Sequence, residues 1–478
     1  MILLRGAGVL ILAVGLACLP PAPLAAQVRI PISLLTGAAT ADDSSTAAAS
    51  PSGSPAAGES AQEDKDQKKS TRKFRFVFRR YPSLRFGNWL RVDFRAKVHT
   101  DFRIFDPEIH HQDDGRLFEL RRMRVAVEGT AFKIFEYQVE RDVRSEVSEE
   151  EFSSKHPWKD VFVNFRYFRK FQIQGGHFKL PFGLEEMTGS THTDFIARSI
   201  ASQALTPARD MGIMAHGHLF ERGLHYQVGL FQHDGEGARG KNDIIAGYRT
   251  FAGRLTGTPL RLLRLPGVLQ GIQFGGAFTE SAVPEADPIK SGPGGLRART
   301  YSKQTWFQDL FVHGHRLRLG GEMQWTPGPF SLKSEFIHVR DQRIGQGLMG
   351  NDLPDLIARG WYAAGTWLVT GEKKLDTIVP KHSLIPFHGL GALEIAGRYE
   401  QTRFGSSEHP GKPTRSLRAA NILGNREFAW TFGANWYWNR MVRIQFNATR
   451  EQIEDPVRSP FGNREPFWMK VWQLQFVM

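Results

Sequence analysis

The run Arg91-Val92-Asp93-Phe94-Arg95-Ala96-Lys97-Val98-His99, continued by Thr100-Asp101-Phe102-Arg103-Ile104, decides how the chain is read. Val92, Phe94, Ala96, Val98 and Phe102 share one face, and Arg91, Asp93, Arg95, Lys97, His99, Asp101 and Arg103 share the other. A period of two belongs to a β-strand, whose successive side chains point to opposite faces. In a soluble sandwich the charged face would meet water and the apolar face the core. In a membrane barrel the same pattern puts the charges in the lumen and the apolar side chains in lipid. The strand alone fits both, so the connections on either side must choose.

Working outward, sixteen stretches read as strands: 87–104, 117–129, 132–142, 158–169, 171–180, 210–220, 224–232, 244–256, 269–280, 314–326, 330–340, 360–371, 390–401, 426–438, 441–451 and 467–478. Long connections follow Ile104, Asp142, Leu180, Gln232, Glu280, Arg340, Thr402 and Gln452. Short turns sit near Thr130, Arg169-Lys170, Glu221-Arg222-Gly223, Pro327-Gly328-Pro329 and Asn439-Arg440, with longer exceptions at 257–270 and 371–390. Short turns at one end and long loops at the other, on an even number of strands, is the asymmetry of an outer-membrane barrel. The expected fold is all-β, a closed antiparallel transmembrane β-barrel of about 16 strands. Trp361, Tyr362, Trp367, Trp436, Tyr437, Trp438, Trp468 and Trp472 lie near strand ends, where interface girdles form, although each singly reads equally well as packing.

Residues 73–478 are uniform in composition and read as one domain. A single globular core of that size would normally split, whereas a barrel wall is one layer around its lumen. A mean hydropathy of −0.35 without a second long apolar run excludes a helical membrane protein. Residues 1–26 carry Arg5, an apolar run from Ala7 to Leu19 and small residues up to Ala26, the order of a secretory signal. Residues 27–72 are rich in Ala, Ser, Gly and Pro and then charged from Glu63 to Lys69, which reads as a disordered periplasmic linker. Cys18 is the one cysteine, so removal of the signal leaves no thiol for a disulfide or thiolate metal site.

Gly175-Gly-His-Phe-Lys-Leu-Pro-Phe-Gly-Leu-Glu-Glu186 closes a strand, with Pro181 removing a ladder donor and Gly183 supplying the turn. Three later segments accompany it: Trp361-Tyr-Ala-Ala-Gly-Thr-Trp-Leu-Val-Thr-Gly-Glu372, Gly391-Ala-Leu-Glu-Ile-Ala-Gly-Arg-Tyr-Glu400 and Gly433-Ala-Asn-Trp-Tyr-Trp-Asn439. Together they resemble the strand signatures of the phosphate-selective porin O and P family. Ile196, Arg198, Pro207, Arg209 and Gly212 match the loop after the first signature, while Ala197 stands where the family commonly has glutamate. The chain ends Gln475-Phe476-Val477-Met478, where those barrels usually end in an aromatic. The resemblance implies a homotrimeric, water-filled porin in the outer membrane of a Gram-negative-type bacterium. Its partners would be outer-membrane lipid and small anionic solutes, phosphate or polyphosphate foremost, with no nucleic acid.

The residues themselves say less about the solute. A formal charge of +13 and a pI near 9.8 favour anions at the level of the whole chain. Lumen parity carries Arg91, Arg95, Lys97, Arg103, Arg122, Arg124, Arg166, Arg316, Arg318, Arg398 and Arg443. It also carries Asp93, Asp101, Glu128, Glu136, Glu140, Asp142, Glu322, Glu394 and Glu400, so any one cation reads most simply as half of a cross-strand pair. The first, second and fourth strands are basic and the third acidic, and arginine rings are what an anion pore uses. The constriction candidate is the loop 186–210, whose centre Asp194-Phe-Ile-Ala-Arg-Ser-Ile-Ala-Ser-Gln-Ala-Leu205 is too apolar for an exposed loop and should fold into the barrel mouth. Arg198 and Arg209 would there offer forked donors to phosphate oxygens. The anion-binding set expected along the pore is Arg198, Arg209, Arg122, Arg124, Arg91, Arg95, Lys97 and Arg166.

Enzyme signatures are lacking: the sequence has no phosphate-cradling Gly-Lys-Ser/Thr loop, zinc-helix His pair or Gly-x-Ser-x-Gly elbow. No catalytic, cofactor or metal residue is therefore nominated. His110-His111 with Asp113-Asp114 reads as an extracellular turn before a metal site, and Asp234-Gly-Glu-Gly-Ala-Arg-Gly240 as a loop tip rather than a calcium repeat. The competing functions are a general or other-solute diffusion porin and, in different classes, an outer-membrane barrel enzyme or a surface adhesin.

Overall fold

The computed structural model describes residues 74–78, 81–106, 116–143, 157–221, 223–235, 249–262, 267–285, 294–385, 389–454 and 465–478. The signal and linker readings (1–26 and 27–72) and the turn at His110-His111 lie outside the described residues. The first strands are β1 (Phe74–Phe78), β2 (Pro82–Phe86), β3 (Leu90–Phe105), β4 (Arg116–Ala131), β5 (Phe135–Asp142), β6 (Trp158–Phe165) and β7 (Gln172–Lys179). Next come β8 (Arg209–Leu219), β9 (Leu224–Phe231), β10 (Thr250–Gly257), β11 (Gln273–Val283), β12 (Ala298–Arg299) and β13 (Thr305–Phe307). The last are β14 (Gly314–Trp325), β15 (Phe330–Arg343), β16 (Leu353–Leu368), β17 (Ala392–Ser406), β18 (Asn425–Tyr437), β19 (Val442–Glu454) and β20 (Phe467–Val477).

Apart from the small β12–β13 hairpin, every strand from β3 onward pairs antiparallel with its neighbours. β20 returns to β3, from Met469↔Phe105 to Val477↔Lys97. The ring therefore closes on sixteen strands, which leaves no long free edge. All sixteen expected strands are present; β10 starts at Thr250, with 244–248 outside the described residues, and β16 starts earlier, at Leu353. The β1–β2 hairpin was not anticipated. It pairs with the first residues of β3, Ser83 opposite Asp93, and takes over that edge where β20 ends.

Burial follows the alternation. On β3 Asp93, His99, Asp101 and Arg103 are buried inward while Phe94 and Phe102 stay exposed on the outside. Exposed Phe278, Leu319, Phe336, Trp430, Phe432 and Leu474 continue that apolar exterior, the inverse of a soluble protein. Two aromatics depart from the girdle reading. Tyr362 and Tyr437 are buried and face inward, Tyr437 donating its hydroxyl to Glu394 Oε2 (2.8 Å). Alternation also breaks once on β4: His99 pairs with Arg122 and Thr100 with Leu120, so Arg121 is an extra residue in a bulge. A bulge lets two consecutive side chains share one face.

Candidate functional site

Among the described residues, three connections pack extensively inside the barrel. The first, residues 180–208, leaves β7 through Gly183, whose φ of 79° suits glycine and where a Cβ would lie 2.6 Å from Glu335 Oε1. Phe182, Phe195, Ile196, Ile200 and Leu205 are buried, so this is the apolar inward loop the sequence suggested. Ser199 caps the short helix Ile200–Leu205 by accepting from Ser202 N (3.1 Å). Gly360 on β16 lets that helix close in, since a Cβ there would be 2.6 Å from the Ala201 methyl.

The loop is tied to the far wall at every turn. Ile196 N donates to Asn447 Oδ1 (2.8 Å), Ile200 N to Glu400 Oε2 (3.2 Å), and Arg443 to the carbonyl of Thr193 (3.1 Å). Asp194 sits between the ammoniums of Lys333 (2.8 Å) and Lys374 (2.7 Å). Burial pushes its carboxyl up, but the two lysines outweigh that and hold it well below the usual carboxylate range.

Lys374 comes from the second inward connection, residues 369–385 and 389–391, which enters from the short-turn end. There the carbonyl of Asp376 also lies 2.6 Å from His192 Nδ1. The third, residues 294–313, was not foreseen. It buries Leu296, Trp306, Phe307 and Leu310, with Phe307 stacked on Phe404 at 4.1 Å. Tyr301 donates its hydroxyl to Glu400 and to the carbonyl of Arg198 (3.2 Å), joining two inward loops. The signal was available: a Trp-Phe pair followed by Leu310-Phe311 is as apolar as the centre of the first loop.

These insertions fill the side of the lumen bounded by β14–β19, where Arg316, Arg398 and Glu400 keep 0–1% exposure. Along the β3–β8 wall Arg95, Lys97 and Arg121 keep 28, 20 and 18%. Arg95, Lys97 and Arg121 are thus more open than those three side chains, although Asp93, His99 and Asp101 of β3 are buried.

Most cations expected to line the pore are here, and most are paired. Arg91 meets Asp93 (3.1 Å), Arg95 meets Glu128 (3.1 Å) and Lys97 meets Glu140 (2.6 Å). Arg124 bridges Glu140 (3.1 Å) and Asp142 (2.9 Å). Arg209 forks onto Asp160 (3.1 and 2.8 Å). Arg198 faces the passage, but its donors are engaged by Glu186 (2.5 Å) and by the carbonyls of Glu185 (3.0 Å), Glu186 (3.2 Å) and Thr188 (3.3 Å). It is a staple holding the loop start. Arg166 lies past the end of β6, in the short-turn rim beside the carbonyl of Lys133 (3.4 Å), away from the others.

Arg122 differs. Among the described residues no carboxylate or carbonyl partner faces it, and its strongest electrostatic neighbours are Arg121, Arg124 and Arg198, ahead of Asp101. Reading parity alone missed Arg121, which the bulge turns inward onto Asp101 (3.1 Å). It also missed Lys179, whose ammonium caps the carbonyl of Thr188 (3.2 Å). Arg316 and Arg318, counted as lumen cations, are sealed instead onto Asp234 (2.6 and 2.8 Å), with Arg318 also holding the carbonyl of Leu205 (2.9 Å). Burial raises the Asp234 carboxyl and those two guanidiniums more than reverse it.

A family model described as phosphate-selective porin O and P matches residues 92–456. Among solved structures, OmpT of Vibrio cholerae folded in vitro superposes with a TM-score of 0.50 at 9% identity, covering 81% of this chain and 98% of that one. Its loop L8 deletion mutant gives 0.50 at 8%, covering 81% and 99%. The outer membrane channel DcaP of Acinetobacter baumannii gives 0.48 at 8%, covering 82% and 98%. No match is found among curated proteins.

Proposed function

The chain belongs to the phosphate-selective porin O and P family, and from that premise we propose that its barrel is a water-filled outer-membrane channel for small anions, inorganic phosphate above all. The observation that carries the anion reading is Arg122. A cation already paired leaves mainly a dipole, whereas one without an acceptor keeps its full field in a narrow passage where water screens weakly. Arg121 and Arg124 beside it are held by carboxylates, so the fork an entering phosphate meets is that of Arg122, which can bind two oxygens at once. The short-turn end faces the periplasm, as in barrels of this kind. The channel works as a homotrimer in lipid and performs no catalysis.

A second reading has its own support. Arg91, Arg95, Lys97, Arg198 and Arg209 all carry carboxylates, as a general diffusion porin with a hydrated, nearly neutral wall would. The two separate in a planar bilayer. Under a KCl gradient the anion channel gives a reversal potential on the chloride side, and millimolar phosphate blocks the chloride current. A reversal potential near zero without block assigns the general porin instead.

A further inference from the structure

The outward face of the barrel carries a charged row for which conduction has no use. His338 on β15, Arg359 on β16, Arg403 on β17 and Arg426 on β18 stand opposite one another in a single register row. Alternation turns them outward: Ala358, Thr402, Phe404 and Glu427, their neighbours along the strands, are buried on the inner face, and Arg359 and Arg403 are exposed. With strands about 4.8 Å apart, the row extends over roughly 15 Å.

Its depth in the membrane can be read from the rows beside it. The next outward row toward mid-wall is Phe336, Trp361, Gln401 and Phe428, and beyond it the rings of Tyr399 and Trp430 lie 4.5 Å apart. Aromatic rows of this kind mark the level where hydrocarbon gives way to headgroups. The basic row lies just past them, toward the long-loop end.

The row also keeps its donors available. Arg403 has no protein partner among the described residues, and Arg359 is steadied by one bond only, from Nε to His338 Nδ1 (3.1 Å), which leaves both terminal amino groups of its guanidinium outward. Arg426 shares Glu454 at 3.4 Å with both side chains still more than 40% exposed, and Arg340, one row further out, pairs with Asp355 (2.5 Å). Four guanidiniums against two carboxylates leave excess positive charge at headgroup depth. Planar forks with such an excess fit phosphate esters, and their spread suits a headgroup bearing more than one.

We propose that the row His338, Arg359, Arg403 and Arg426 is a binding site for a multiply phosphorylated lipid headgroup of the outer leaflet. The proposal rests on the outer-membrane reading and is independent of the solute that crosses the pore. The probe is bisphosphorylated lipid A, titrated into the detergent-solubilised full protein and followed by native mass spectrometry, beside the same lipid with its phosphates removed. Arg359→Glu with Arg403→Glu should weaken binding of the bisphosphorylated lipid by at least about tenfold and leave the dephosphorylated lipid unchanged. Arg359→Lys with Arg403→Lys, which keeps the charge but loses the forks, should bind more weakly than the parent and more tightly than the Glu variant. Heat-modifiable gel mobility checks that the variants fold. Their reversal potential should match the parent because these side chains face away from the lumen, so a failed pore reading and a failed lipid reading give different results. Equal binding of the bisphosphorylated lipid by the Glu variant overturns the proposal. So does a loss of oligomer mass in lipid-free detergent, which would make the row a contact between copies.

Discussion

Replacing Arg122 with glutamate tests the electrostatics of the passage at a cation that has no acceptor among the described residues. Arg122 has no acceptor to compensate, so its removal leaves no buried carboxylate orphaned and its effect should appear in selectivity rather than stability. A unit charge about 6 Å from a permeating anion, at an effective dielectric of about 40 between protein and bulk water, contributes roughly 1.4 kcal/mol. Screening at 0.1 M salt, with a Debye length of about 10 Å, reduces this to about 0.8 kcal/mol. Arg122→Ala should then disfavour chloride about fourfold and favour potassium by the same factor, lowering the chloride-to-potassium ratio about fifteenfold, and Arg122→Glu, which doubles the change in charge, should lower it about two-hundredfold. The assay is the shift of reversal potential in a planar bilayer, with the midpoint of phosphate block read in the same membrane. Arg124→Ala is the comparison, because it removes a cation already shared by Glu140 and Asp142 and leaves Glu140 with Lys97. Should Arg122→Glu fold and conduct with an unchanged reversal potential, Arg122 does not set the field, and net charge alone would be left to argue for anions.

The remaining predictions concern the inserted loops and the assembly. Gly183→Val forces a branched residue to φ 79° and drives its Cβ toward Glu335, at a cost of about 1–3 kcal/mol; a lower temperature of heat-modified mobility should record it. Trp306→Ala empties a fully buried site beside Phe404, costing about 3–5 kcal/mol, and should release residues 294–313 as larger and noisier single-channel conductance. Because Lys333 and Lys374 depress the Asp194 carboxyl, its contribution is complete above the unfolded value near about pH 4 and is lost only as pH falls through the lower folded value. Channel noise should therefore stay constant from pH 7 to about pH 4, while Asp194→Asn should be noisy already at neutral pH. Native mass spectrometry in mild detergent should show trimers, and monomer alone would count against the assembly proposed.

Alternation and the sorting of connections were legible in the sequence because both are local. The run from Arg91 to Ile104 shows its two faces without reference to any other strand, and loop length is read directly. The apolar centre of the loop around Ile200 announced its burial in the same way. What escaped depends on register and on contacts between distant residues. Strict parity hid Arg121, because a bulge is set by the pairing of β4 with β3 and leaves no local mark. Arg198 and Arg209 looked like free phosphate donors until Glu186 and Asp160 were placed beside them, the second from 49 residues away. The β1–β2 hairpin was a different miss: Phe74-Arg75-Phe76-Val77-Phe78 alternates visibly, but its neighbours looked like the end of a linker.

The central claim is that ions cross the barrel along the β3–β8 wall while the far side is closed by the inserted loops. Cysteine accessibility during conduction tests it most directly, in a chain freed of Cys18. Arg122→Cys should react with an anionic methanethiosulfonate added to the open channel, and the chloride current should fall as it does. Thr449→Cys, on an inward position of β19 that is 2% exposed, should leave the current untouched. Rapid modification at 449 with silence at 122 would place the passage on the wrong side of the barrel and contradict the account.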